Sequence, residues 1–281
     1  MPETAETIRI PSGGLQLYGR LWHLSGEAPT ILLLCGLGFH TFEYEPLGAA
    51  LAAAGLNALA FDFRGHGHSG GPRGRWTLHE LTADTRAALD VAASRSSGPM
   101  VLFGNSLGGM VAMLAAAVDE RADGVVAANC PAHAADILLT PARRVLYALL
   151  KLVEPVAPLR ISVNHYIRYE QLTGDSALIA RIRCDRLITD ARRLSVRTYQ
   201  DLLEVWDGPD AARALHTPLL VLQGRHDGLQ PAQQSELIVA AASEPKQYRL
   251  LDTGHLPHLD APARLADLLI GWTATLGRPV R

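Results

Sequence analysis

Short apolar runs recur along the chain, and stretches with helical spacing separate them. Residues 30–34 (TILLL), 57–63 (NALAFDF), 101–106 (VLFGNS), 124–128 (GVVAA), 218–223 (PLLVLQ) and 247–251 (QYRLL) read as strands. The 30–34 run shows no alternation, which marks a strand covered on both faces, as in a parallel sheet. Between these runs, 44–54, 76–95, 111–118, 230–242 and 262–276 read as helices. In the 76–95 stretch, Leu78, Leu81, Ala88, Leu89 and Ala92 fall on one side. Near the start, 8–10 and 15–22 flank Ser12-Gly13-Gly14 as a hairpin. Strand alternating with helix predicts an α/β fold: a mostly parallel central sheet with helices on both faces.

Residues 131–205 break this rhythm. They show no clear buried strand, only helical patterns such as 137–153 and 178–188. This stretch holds ten Arg and one Lys against five Asp and three Glu, a balance of +3, whereas the whole chain is −2. The strand pattern resumes at Pro218. The expected organisation is therefore an α/β core from 1–130 and 206–281, with 131–205 inserted as a helical cap. Within the cap, Ile137, Leu138, Leu139, Leu146, Leu149, Leu150 and Val153 alternate with Arg143, Arg144 and Lys151. A basic amphipathic helix of this kind packs on the rim of the sheet or lies on a lipid surface.

Composition narrows the class. At 281 residues the chain is expected to form one large domain with an insertion. A net charge of −2 suggests no nucleic-acid partner. No run of 18 apolar residues occurs, so no membrane span is expected. Residues 1–10 carry acids and no apolar core, unlike a signal peptide. Cys35, Cys130 and Cys184 are few, odd in number and far apart, which argues against disulfides or a zinc site and for a reducing, cytoplasmic setting.

Gly104-Asn105-Ser106-Leu107-Gly108 matches G-x-S-x-G, with a strand before it and a helix after it. That context holds a serine out on a sharp turn as a nucleophile. Its hydroxyl needs a base, and the base needs an orienting carboxylate, in the chain order Ser, Asp or Glu, His. Active groups of an open sheet lie beyond the carboxyl ends of its strands. Asp227 follows the 218–223 strand and His255 follows the 247–251 strand. His258 competes with His255, but Gly254 suits the tight loop that places His255. His226 is read as structural, and Asp252 and Asp260 do not have the spacing of a triad acid. The oxyanion donors are expected at the backbone N–H groups of Leu107 and Leu37. Asp62, Arg64, His66 and His68 form a polar loop that braces the site; their spacing fits no metal pattern. No metal or organic cofactor is expected.

These residues resemble the α/β-hydrolase superfamily over essentially the whole chain. The sequence is most similar to its monoacylglycerol lipase and lysophospholipase branch. The likeness rests on Gly36-Leu37-Gly38-Phe39-His40, Tyr44-Glu45-Pro46 and the run from Phe61 to Gly74 (FDFRGHGHSGGPRG). It implies Ser106 as nucleophile, Asp227 as acid, His255 as base, Leu37 and Leu107 as oxyanion donors, and a helical cap over an apolar acyl pocket. The implied activity is that of a serine esterase or lipase. Two departures stand out: Cys35-Gly36 replaces the branch's His-Gly, and Asn105 replaces the His before the serine. Asn before the serine with Gly-Gly after it resembles hydrolases that cleave carbon–carbon bonds of ring-fission products, an alternative outcome on the same triad. A non-catalytic ligand-binding protein on this fold is the other alternative.

Overall fold

The computed structural model describes residues 5–22, 26–153 and 159–276. Strands β1 (Glu6–Ser12), β2 (Leu15–Trp22), β3 (Thr30–Leu34), β4 (Asn57–Phe61), β5 (Met100–Asn105) and β6 (Gly124–Ala128) come first. Two short strands follow, β7 (Arg160–Ser162) and β8 (Arg193–Ser195), and then β9 (Leu219–Gly224) and β10 (Lys246–Leu251). All except β7 and β8 join one eight-stranded sheet in the order β1-β2-β4-β3-β5-β6-β9-β10. The β1–β2 and β2–β4 pairs are antiparallel and the remaining pairs are parallel. Every residue of β3, β4, β5, β6 and β9 is buried, as their unbroken apolar runs require.

The helices in chain order are α1 (Glu45–Ala53), α2 (Leu78–Arg95), α3 (Leu107–Ala116), α4 (Ala134–Leu138), α5 (Pro141–Val153), α6 (Ser176–Cys184), α7 (Arg186–Ala191), α8 (Val196–Glu204), α9 (Gly208–Arg213), α10 (Ala232–Ala241), α11 (Pro257–Asp260) and α12 (Pro262–Thr273). Two groups pack around the sheet: α1 with α11 and α12, and α2, α3, α9 and α10 in a connected series. Helix α2 starts sharply because Thr77 and Glu80 form a capping box.

Several expected boundaries shift for local reasons. Strand β4 stops at Phe61 rather than 63, because Asp62 turns its carboxylate to the Thr41 and His68 amides. The helix expected over 137–153 is two helices, α4 and α5. Leu139 is extended (φ −112°, ψ 99°), and Pro141 disfavours a helical Thr140. The helix expected over 178–188 also divides, because Asp185 caps α7 through the Leu187 and Ile188 amides. The β7–β8 ribbon within 131–205 was not expected. Each strand is three residues with one buried side chain, Ile161 or Leu194, too short to show a period. In α5, Val145, Leu146, Leu149 and Leu152 face solvent, so this apolar edge does not pack on the sheet. The side chain of Val153 lies outside the described residues.

Candidate active site

The centre of the site is the turn from β5 into α3. Ser106 sits at φ 55°, ψ −117°, a backbone conformation that a non-glycine residue adopts only when its surroundings impose it. The flanking glycines make room for it. A Cβ on Gly104 would lie 2.0 Å from the Gly108 carbonyl oxygen, and one on Gly108 would lie 2.0 Å from the Leu34 oxygen. The Ser106 amide donates to the Ala128 carbonyl of β6 at 2.9 Å. Its side chain makes no capping bond to α3, so the serine is not an ordinary helix cap.

The loop after β3 supplies Leu37. Gly38 beside it is left-handed (φ 83°), and a Cβ there would strike the Arg192 side chain at 2.2 Å. Leu107 is the first residue of α3, and its N–H has no partner inside the helix. Asp62 ties the Leu37 loop to the 64–74 loop, accepting from Thr41 N–H and His68 N–H at 2.6 Å each. Burial raises the Asp62 pKa despite these donors. His66 donates Nδ1–H to the Arg64 carbonyl, and burial pulls its pKa down to about 4. Arg64 is bound to the buried Asp84 and to Glu80. Cys35 is a buried thiol 3.6 Å from the Phe61 carbonyl; burial pushes its pKa well up.

The loops after β9 and β10 bring Asp227 and His255 together. His255 Nδ1 lies 2.7 Å from Asp227 Oδ2, with both side chains buried. The other Asp227 oxygen accepts from the Leu229 and Gln230 amides at 2.8 and 2.9 Å. The His255 amide donates to the Leu172 carbonyl at 2.9 Å. Gly224 allows the loops to approach, since a Cβ there would meet the Gly254 oxygen at 2.1 Å. His258 points elsewhere: its Nε2 lies 3.0 Å from Glu43 Oε2 in a fully buried pair. His226 pairs with Asp252 in the open, 2.8 Å apart. Asp260 accepts the Gly254 amide at 2.8 Å and so fixes the loop before His255.

Ser106, Leu37 and His255 line one pocket with two lobes. One lobe is apolar, walled by Met110, Ile137, Leu138 and Leu202, with Leu107 at its edge. The other is lined by Gly36, Asn105, Ile167, Leu172 and Arg192. Among the described residues no cluster of His, Cys, Asp and Glu forms a metal site.

Residues 27–259 match the family model described as serine aminopeptidase, S33. The chain belongs to the S33 family. A monoacylglycerol lipase from Mycolicibacterium smegmatis is 28% identical to this S33 chain over 231 residues, spanning 81% of the chain and 80% of that protein. A solved monoacylglycerol lipase from Paleococcus ferrophilus superposes with a TM-score of 0.74 at 24% identity, covering 93% of this chain and 99% of the other. A soluble variant of the monoglyceride lipase from Saccharomyces cerevisiae gives 0.79 at 17%, covering 96% and 95%. The two structures establish the α/β-hydrolase fold. The chain is a hydrolase similar to monoacylglycerol lipases. The S33 match spans Ser106, Asp227 and His255.

Two residues of this S33 site escaped the sequence pattern. Asn129, just past β6 at φ 45°, is fully buried. Its Oδ1 accepts the Gly224 amide at 2.7 Å, and its Nδ2 donates to the His255 carbonyl at 2.9 Å. Arg192 closes α7 and is 1% exposed beside the pocket. A lone Asn after a strand and an Arg in a basic helical segment carry no signal of their own.

Proposed function

We propose that this S33 hydrolase cleaves carboxylic esters through an acyl-enzyme. His255 accepts the Ser106 hydroxyl proton as Oγ bonds to the ester carbonyl carbon. Asp227 holds the imidazole by Nδ1–H and stabilises its charged form. The N–H groups of Leu37 and Leu107 take the oxyanion, aided by the positive end of α3. The carbon–oxygen bond to the alcohol breaks and the alcohol leaves with the proton from His255. Water, deprotonated by His255, then releases the acid. The observation that carries this reading is the buried Asp227–His255 pair at 2.7 Å, in the same pocket as a serine on a strained elbow.

The apolar lobe favours a lipophilic half in the substrate, as in monoacylglycerols and lysophospholipids. Purified protein is expected to hydrolyse p-nitrophenyl esters and a monoacylglycerol, and to label with a fluorophosphonate. The Ser106→Ala protein is expected to do neither. Ester hydrolysis that survives Ser106→Ala excludes the mechanism.

The solvent-facing edge of α5, with Val145, Leu146, Leu149 and Leu152 beside Arg144, suits transient contact with an anionic lipid surface. Flotation with anionic liposomes tests it. Association that weakens with salt and with Leu149→Ser supports the contact, and no association removes it.

A further inference from the structure

Arg192 has a charge and, among the described residues, no counter-ion. It is 1% exposed, and its Nε and Nη1 have no hydrogen-bond partner. Its Cζ lies 4.9 Å from the centre of the Tyr169 ring, a cation–π contact. Burial draws its pKa down to about 10, so the group stays charged at neutral pH. The comparison within the molecule is Arg64, also largely buried, which engages Asp84 and Glu80. A buried cation left without a partner costs stability, and a fold retains one where another need is served.

A second polar side chain stands in the same lobe. Asn105 is 1% exposed, and neither its Oδ1 nor its Nδ2 has a partner among the described residues. Asn105 and Arg192 both line the lobe that holds Ser106, Leu37 and His255. Gly38 lets the backbone pass against the Arg192 side chain, where any Cβ would collide with it. The lobe beside the serine thus sets one guanidinium and one amide among apolar side chains, and the other lobe is walled by Met110, Ile137, Leu138 and Leu202.

We propose that Arg192 and Asn105 form a carboxylate subsite, and that the substrate is an ester bearing a free carboxylate on one side of the scissile carbonyl and an apolar group on the other. This inference rests on the assignment of Ser106 as nucleophile. The planar guanidinium fork matches a planar carboxylate through two parallel N–H···O bonds. The Asn105 amide adds a donor next to the serine. Arg192 is a binding residue here and has no part in bond making.

The test separates binding from turnover. Ser106→Ala protein is titrated by calorimetry with monomethyl adipate, with its neutral dimethyl ester and with butyl phosphate. The monoanion is expected to bind about 30-fold or more tightly than the diester. Arg192→Met in the same background is expected to lose that preference while melting no lower than its parent, since an unpaired buried charge is gone. Arg192→Lys, which keeps the charge without the fork, is expected to keep only part of the preference. Equal binding of monoester and diester overturns the proposal. So does a preference that survives Arg192→Met, and tighter binding of butyl phosphate overturns the carboxylate assignment. Turnover of the same esters by the wild type reports separately on the esterase reading. Ser106-dependent hydrolysis without anion preference defeats this inference alone. Anion binding without Ser106-dependent hydrolysis defeats the parent reading and the ester substrate with it, and leaves only the carboxylate site standing.

Discussion

The side-chain amide of Asn129 holds the His255 carbonyl at 2.9 Å while its oxygen holds the Gly224 amide at 2.7 Å. One residue after β6 thus links the loop that carries His255 to the start of the loop that carries Asp227. Asn129→Asp keeps the acceptor and the tolerance for a left-handed backbone. It removes the donor and sets a carboxylate against two carbonyl oxygens. The variant is expected to lose about 2 kcal/mol of stability and to fall in kcat more than it changes KM. Denaturant melts and steady-state kinetics on the folded protein check both effects.

His255 and His258 separate cleanly. His255→Gln is expected to remain folded and to lose about 10⁴-fold or more in kcat. His258→Ala leaves Glu43 buried without its partner, so it is expected to lose about 3 kcal/mol of stability. At a temperature where it is folded, its turnover is expected to stay near that of the wild type. Equal loss of turnover from both variants would mean that His258 takes part in the chemistry.

The elbow strain is measurable. Ser106→Ala keeps a Cβ at φ 55°, whereas Ser106→Gly does not. Glycine gives back part of the relief through a freer unfolded chain. The Gly variant is nonetheless expected to be about 1 kcal/mol more stable than the Ala variant, both being inactive. Chemical denaturation of the pair measures the difference.

His66 makes stability depend on pH. Its folded pKa is drawn down to about 4 from 6.5 by burial. Between those values the unfolded chain binds a proton that the native state refuses. The contribution of His66 is therefore complete above about 6.5 and is lost progressively toward about 4, a change of about 3 kcal/mol. His66→Asn, whose amide stands near the position of Nδ1 and can donate to the Arg64 carbonyl, is expected to flatten that part of the stability–pH curve. An unchanged slope in the variant would assign the acid sensitivity to other groups.

Much of the fold was legible because buried parallel strands are written as unbroken apolar runs. TILLL and VLFGN appear as β3 and β5, and the glycines around Ser106 mark the elbow. The placement of Asp227 and His255 followed from the rule that reactive loops lie at the carboxyl ends of strands. The 131–205 stretch was less legible. Its breaks at Thr140-Pro141 and Asp185 are set by single residues, and β7 and β8 are held by one buried side chain each. Asn129 and Arg192 were invisible for a different reason. Their importance lies in which backbone or pocket they reach, and no spacing along the chain encodes that.

The residues between β6 and β9 also grip the machinery beneath them. Leu172 accepts the His255 amide, Gln171 exchanges hydrogen bonds with the Gly228 backbone at 3.1 Å each way, and Thr173 binds Asp260. The covering is therefore no interchangeable module. A chimera that imports a foreign segment there to change substrate range would unfasten the loops of Asp227 and His255 unless 171–173 travel with their own contacts. Changes on the pocket-facing sides of α4 and α8, at Ile137, Leu138 and Leu202, would alter the apolar lobe and leave those three residues in place.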